Sequence, residues 1–359
     1  MNNYSIYLPS YSIGPNVYQN IDSICSFYGR NAIAIGGQQA INAAKPALEL
    51  ALAHSELHIT DYVCYGKEAS YENVSKLQHN DQVMNAEMIF AIGGGKALDT
   101  CKCLGVKLNK PVFTFPTIAS TCAACTTVSI MYRTDGTFLE PFFFETPPVH
   151  AFINTDIIAK APSKYLWAGI GDTYAKHYEA TTSSRGEILE HFYALGVGMS
   201  RMCVDPILLY GKKAYTDNIK QDCSYELEQT VLAVVVTTAI VSILVTKEHT
   251  VDYNSGLAHA IFYALTSLPI IEEKHLHGEV VGFGVLILLL VDNNMEEFHK
   301  LYNFNKSIGL PTKLQDLEVS RNELLNLLPN VLNMPDLRHY AYPITYDMLV
   351  AAFDQLELM

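Results

Sequence analysis

Residues 87–96 read EMIFAIGGGK. The stretch Glu87–Ile92 reads as a strand, and the three glycines after it predict a tight turn. Lys96 to Val106 then carries a helical composition. Outward from this unit the same order repeats. Asn31 to Gly37 reads as a strand ending in a tight turn, Gln38 to His54 as a helix, Leu57 to Tyr65 as a strand, Tyr71 to Asn80 as a short helix and Pro111 to Phe115 as a further strand. Strands alternating with helices predict an α/β domain with a parallel sheet covered on both faces.

After about Ala161 the pattern changes. Strand signals fade, and the runs Tyr165 to Ser183, His191 to Met202, Glu226 to Thr246 and Val280 to Asn293 read as helices, as does LQDLEVSRNELLNLLPNVLN near the end. A boundary near Lys160 divides the chain into residues 1–160 and an all-α part, 161–359, with Pro162 suited to the start of the helix that follows. A cleft between two such domains is the expected ligand site.

Composition narrows the function classes. The 359 residues include 49% hydrophobic and 17% charged residues, which suits a large core. The net charge of −13 argues against nucleic-acid binding, because phosphates need a basic surface. The opening MNNYSIYLPS lacks the basic and apolar regions of a secretory signal. The runs Val231 to Val245 and Val280 to Val291 are shorter than the roughly 20 residues that cross a bilayer, so both read as buried helices and no membrane partner is expected. The eight cysteines follow no framework spacing, which predicts reduced thiols and a cytoplasmic location.

Three groups of residues carry chemistry. Gly93-Gly94-Gly95-Lys96 ends a strand and opens a helix, so its backbone N–H groups can approach a pyrophosphate. It matches neither GxGxxG nor GxxxxGK[ST], and a plain strand-to-helix turn explains it equally well. Asp99 and Lys102, taken alone, read as exposed or capping groups. Asp172, Lys176 and Glu179 share a helical face, where Asp172 reads either as an ion-pairing residue or as a metal ligand. His259 lies in an apolar helical stretch, where a satisfied core histidine is the plain alternative. His275 and His277 would point opposite ways on a helix, so one metal takes one of them, and Glu279 can orient an imidazole. One carboxylate and two imidazoles, Asp172, His259 and His277, can hold a divalent metal while leaving positions open. Cys122-Ala-Ala-Cys125 has no second CxxC to complete a zinc site.

Taken together, IGGGKALDTCK, FPTIASTCAACTTVSIMYRTDG, INTDIIAKAPSKYLWAGIGDTYAKHYEA and HLHGEVVGFG resemble the iron-containing alcohol dehydrogenase superfamily over nearly the whole chain. The similarity is greatest to its glycerol dehydrogenase branch, and within that to bacterial hydroxycarboxylate dehydrogenases that reduce 2-oxo acids. The resemblance implies a dehydroquinate synthase-like fold, with an N-terminal Rossmann-like NAD(P)-binding domain and a C-terminal helical metal-binding domain. It implies one zinc or iron held by Asp172, His259 and His277. NAD or NADP would have its pyrophosphate on Gly93, Gly94, Gly95 and Lys96, with Asp99 nearby and Thr117, Ser120, Thr126, Val128 and Tyr132 around the nicotinamide half. It also implies a homo-oligomer, a dimer or an octamer.

Three departures accompany the resemblance. Cys122 stands where glycerol dehydrogenases carry an aspartate that accepts from a polyol hydroxyl, and a thiol is a poor acceptor. This shifts the expected substrate from glycerol towards a 2-oxo acid. Gly37 stands where the family often has an acid against the adenosine ribose, so NADP(H) is permitted. Phe262 and Tyr263 occupy positions where many relatives have a further histidine, and the Tyr263 hydroxyl is a candidate substitute in a proton relay. Three other readings compete: a lyase of the dehydroquinate synthase type, a non-haem iron oxygenase, and a nucleotide-binding relative without catalysis.

Overall fold

The EMIFAI run is a strand inside a six-stranded parallel sheet. In the computed structural model, which describes residues 3–359, the strands are β1 (Tyr11–Ile13), β2 (Asn31–Gly36), β3 (His58–Cys64), β4 (Met88–Gly93), β5 (Val112–Pro116), β6 (Val128–Tyr132), β7 (Phe138–Phe143) and β8 (His150–Ile153). The sheet order is β1-β8-β5-β4-β2-β3, and β6 and β7 pair separately as an antiparallel hairpin. Every residue of β4 and β5 is buried, which is why both read as continuous apolar runs rather than alternating ones. Phe90, Phe113, Phe115 and Phe152 stack across these strands; the Phe115 and Phe152 ring centroids lie 5.0 Å apart.

Strand order places a switch point between β2 and β4. The chain leaves β2 for β3 on one side and returns to β4 on the other, with Gly36 opposite Ile92. Ligands of open α/β sheets bind at such a point, beyond the carboxyl ends of the strands. Helix α1 (Gln38–Leu52) follows β2, α2 (Tyr71–Gln78) follows β3, and α3 (Gly95–Leu108) follows β4. The glycine turns at Gly37 and at Gly93–Gly95 therefore flank the switch point. β1, β8 and the β6–β7 hairpin had no counterpart in the sequence reading. β1 and β8 are three and four residues long, too short to show a period.

The chain divides into two compact units: residues up to Ser163 with Asp217–Val231, and Lys164–Thr216 with Leu232–Met359. The sequence reading had left 217–231 with the helical part. Asn218 ties that segment to the first unit, its Nδ2 donating to the carbonyls of Ile158 at 3.1 Å and Ala159 at 2.8 Å.

In the second unit, helix α4 (Lys164–Ser183) starts just after Pro162, and α5 (Leu257–Leu265), α6 (His277–Val291) and α7 (Met295–Ile308) follow. The LQDLEV stretch is not the start of a long helix. Leu314–Leu317 is one 3-10 turn, Glu318 is left-handed at φ 55°, and the helix begins at Arg321 behind a Ser320 cap. Two helical runs, 191–219 and 225–245, are long and apolar enough to cross a membrane by length and composition. This corrects the sequence estimate of length, because Tyr225–Val231 winds into the apolar segment through a π-helical stretch at Leu232–Thr237.

Candidate metal centre and nucleotide cradle

Close packing between α4, α5 and α6 builds the centre. A Cβ at Gly171 would collide with the Gly278 carbonyl oxygen, and one at Gly278 with that of Ala168. Only glycine lets these two backbones approach so closely, and the ligand candidates are their chain neighbours, Asp172 and His277. Gly284 plays the same part against Ala258, one residue before His259; its Cβ would lie 2.7 Å from the Ala258 carbonyl oxygen.

Among the described residues, Asp172, His259 and His277 are the one group whose ligand atoms all lie within 4.8 Å of one another. His277 Nε2 is 3.2 Å and His259 Nε2 is 3.7 Å from Asp172 Oδ1. Metal–donor bonds of about 2.1 Å at tetrahedral angles separate donors by about 3.4 Å, so the trio fits one first-row divalent ion. Burial opposes ionisation of Asp172, yet the His277 and His259 imidazoles hold its carboxyl well below the usual range. Burial also opposes charge on His259, but Glu179 and Asp172 outweigh it and push that imidazole up to about 10. This environment favours a cation.

Glu179 is fully buried, and its Oε2 accepts from His259 Nδ1 at 2.7 Å. The sequence placed Glu179 on the face of Asp172 without this role. A carboxylate behind a candidate histidine, seven residues after a candidate aspartate, was the available signal. The i,i+4 pair expected of Asp172 and Lys176 does not form. Lys176 Nζ instead donates to the carbonyl and side-chain oxygens of Asn254, at 2.5 and 2.7 Å. Glu279 does orient an imidazole, that of His275. It caps α6, accepting from Leu276 N at 3.0 Å, and takes His275 Nδ1 at 2.8 Å.

In the first unit, Gly93 has φ 143° and Gly94 caps α3 without a side chain. Thr117 N donates to the Gly93 carbonyl at 3.2 Å, so the loop carrying Thr117 and Ser120 rises beside the turn. Lys96 is not a spare cation, since its Nζ lies 2.7 Å from Glu68 and 5.2 Å from the Tyr132 ring centre. Asp99 and Lys102 are buried, not exposed. Lys102 Nζ sits 2.8 Å from Asp99 Oδ1 and donates to Thr126 Oγ1 at 3.0 Å and to the Val128 carbonyl at 2.6 Å. Asp99 Oδ2 accepts from Ile130 N at 3.2 Å. Asp99 and Lys102 thus tie α3 to β6 and the residues just before it.

A family model described as iron-containing alcohol dehydrogenase matches residues 9–153. Glycerol dehydrogenase of Thermotoga maritima is 33% identical over 261 residues, 70% of this chain and 68% of that protein. Hydroxycarboxylate dehydrogenase A of Escherichia coli is 31% identical over 331 residues, 91% of this chain and 89% of that protein. The chain belongs to the iron-containing alcohol dehydrogenase family. It is an oxidoreductase that interconverts alcohol and carbonyl groups. The crystal structure of Schizosaccharomyces pombe glycerol dehydrogenase shares the fold, with a TM-score of 0.85 at 24% identity, covering 100% of this chain and 91% of that one.

Within this family frame the departures take physical form. Cys122 is half-buried, and its carbonyl accepts from Cys125 N at 3.0 Å in a turn. The Tyr263 ring lies 6.3 Å from the His259 ring, centre to centre. Gly37 has an ordinary φ of −79°, and a Cβ there would meet only Tyr65, at 3.6 Å.

Proposed function

We propose that this chain is a metal-dependent NAD(P)(H) dehydrogenase that interconverts a small 2-hydroxy acid and its 2-oxo acid. The observation that carries the reading is the convergence of Asp172, His259 and His277 on one point with an open donor set. When bound, the metal, zinc or iron(II), supplies Lewis acidity towards the substrate oxygen. Asp172, His259 and His277 hold it, and Glu179 sets the His259 ring. The backbone of Gly93 to Lys96 receives the pyrophosphate, because Glu68 already neutralises the Lys96 side chain. Thr117, Ser120, Thr126, Val128 and Tyr132 surround the nicotinamide half, with Asp99 fixing β6 behind them. A bound nicotinamide would supply the hydride chemistry, so no protein nucleophile is required. The Tyr263 hydroxyl, on a ring 6.3 Å from that of His259, serves as the proton relay in this reading.

The substrate class rests on Cys122 and on the similarity to hydroxycarboxylate dehydrogenase A over 91% of the chain. An uncharged thiol repels a carboxylate less than an aspartate does. Glycerol and dihydroxyacetone form the second reading, favoured by the similarity to the Thermotoga maritima enzyme.

The test is a substrate panel on metal-reconstituted protein. NADH or NADPH absorbance is followed with 2-oxobutanoate, 2-oxoglutarate, dihydroxyacetone and simple aldehydes, before and after chelation. Chelator-sensitive turnover of oxo acids is expected, and Cys122→Asp should move preference towards dihydroxyacetone. Preference for dihydroxyacetone in the unaltered protein would overturn the substrate assignment. Cofactor binding with no turnover of anything would overturn the enzymatic one.

A further inference from the structure

The carboxylate of Glu179 does three things at once. Its Oε1 accepts from Gly256 N at 2.9 Å and from His259 N at 3.0 Å, while Oε2 accepts from His259 Nδ1 at 2.7 Å. A carboxylate carries no proton, so the proton of the last bond belongs to Nδ1. A neutral imidazole has one N–H, which leaves the lone pair on Nε2, the nitrogen facing Asp172. The same side chain therefore selects the tautomer of a candidate ligand and seats the first turn of the helix that carries it.

The residues before that helix are tied down as well. Lys176, about one turn before Glu179 on α4, holds Asn254. Ser255 Oγ donates to Asp336 at 2.5 Å. Gly256 packs against the Glu179 stem, where a Cβ would lie 3.3 Å from Cγ. Each residue from Asn254 to Gly256 thus has its own polar anchor or close contact.

Resting on the metal-centre reading above, we propose that Glu179 is the positioning residue of that centre: it keeps the Nδ1 proton of His259 in its own hydrogen bond and aims Nε2 at the metal, so that Nε2 is the nitrogen left to ligate. Carboxylates behind ligating histidines act this way, and losing one typically weakens metal binding about 10–100-fold. Glutamine at 179 has nearly the same shape but the wrong protons. Its NH₂ facing Nδ1 makes that nitrogen an acceptor and moves the proton to Nε2, where it blocks ligation. Turning its oxygen to Nδ1 instead sets the NH₂ against the backbone donors.

The experiment measures zinc affinity of the metal-free full-length protein by competition with a chromophoric chelator, for the unaltered chain, Glu179→Gln, Glu179→Asp and Asp172→Ala. Thermal melting of each metal-free form is recorded alongside. We expect Glu179→Gln to bind zinc at least about tenfold more weakly while melting close to the unaltered chain, with Glu179→Asp between the two. Zinc affinity within about threefold of the unaltered chain in a folded Glu179→Gln protein overturns the proposal. Should that variant fail to fold, ¹H–¹⁵N spectra of the zinc-loaded unaltered protein decide, since a protonated Nδ1 on His259 supports the proposal and a bare Nδ1 overturns it. Asp172→Ala isolates the parent reading: undiminished zinc binding there removes the metal centre itself, whatever Glu179 does.

Discussion

The Phe262 ring stands edge-on to the His277 imidazole, with 4.3 Å between ring centroids and 86° between planes. The two histidines of the centre are therefore oriented by different means. His259 is held by a buried carboxylate. His277 is packed by an aromatic ring on the more open side, its side chain 36% exposed against 11% for His259. An edge-to-face pair contributes about 0.5–1.5 kcal/mol beyond burial. Phe262→Ala should then weaken zinc binding by about 2–12-fold, with Phe262→Leu in between. Chelator competition measures this, and an unchanged affinity would mean that the start of α6 alone fixes His277.

The first unit depends on a buried ion pair. The Lys102 side chain is 1% exposed and that of Asp99 is 9% exposed. Removing one member of such a pair strands the other, at about 3–5 kcal/mol. Lys102→Met should accordingly lower the calorimetric transition of the first unit by several degrees. Combining it with Asp99→Leu should recover part of the loss, because the stranded charge is gone. A single variant that melts like the unaltered chain would show that water reaches Asp99.

The sequence carried the long-period information well and the short contacts poorly. EMIFAIGGGK gave both a strand and the turn after it, since a strand buried on both faces shows as an unbroken apolar run. β1 escaped because three residues carry no period. Asp172, His259 and His277 were legible as residue types able to share a metal. Lys102 read as exposed because an i,i+3 pair with Asp99 is ordinary on a helix surface, while the acceptors that mark it as buried, Thr126 and the Val128 carbonyl, lie more than twenty residues away. Glu279 was legible as a carboxylate able to orient an imidazole, but not which one. The extended backbone at His275 and Leu276 sends it to His275.

Acid should destabilise the protein through His177. Burial, helped by Arg201 and opposed by Glu297 and Asp205, holds this imidazole down at about 4. Ser200 Oγ donates to the Val197 carbonyl and so accepts from His177 Nδ1, at 2.8 Å. An unfolded histidine titrates near 6.5, so between about 6.5 and 4 the unfolded chain holds the extra proton and stability falls as pH drops. The urea midpoint should decline on acidification below about pH 6.5. His177→Gln should flatten that decline relative to the unaltered chain. Parallel slopes for the two proteins from pH 7 to 5 would locate the acid sensitivity elsewhere.

Gly37 provides a test of nucleotide choice. It caps α1 with an extended backbone that any residue adopts, and a Cβ there meets only Tyr65, at ordinary van der Waals distance. Neither strain nor crowding demands glycine, so an aspartate fits at little structural cost. Its carboxylate can accept from an α1 backbone N–H, a favourable cap, or from the adenosine ribose, and it repels a 2′-phosphate. Gly37→Asp should therefore keep kcat/KM for NADH within a few-fold and lower that for NADPH by at least about tenfold, which is about 1.4 kcal/mol of transition-state binding. The apoprotein should melt at the same temperature or slightly higher. Equal use of both nucleotides by the variant would mean that the adenosine ribose does not lie at this turn, and the cradle would then have to be entered from Gly93–Gly95 in another orientation.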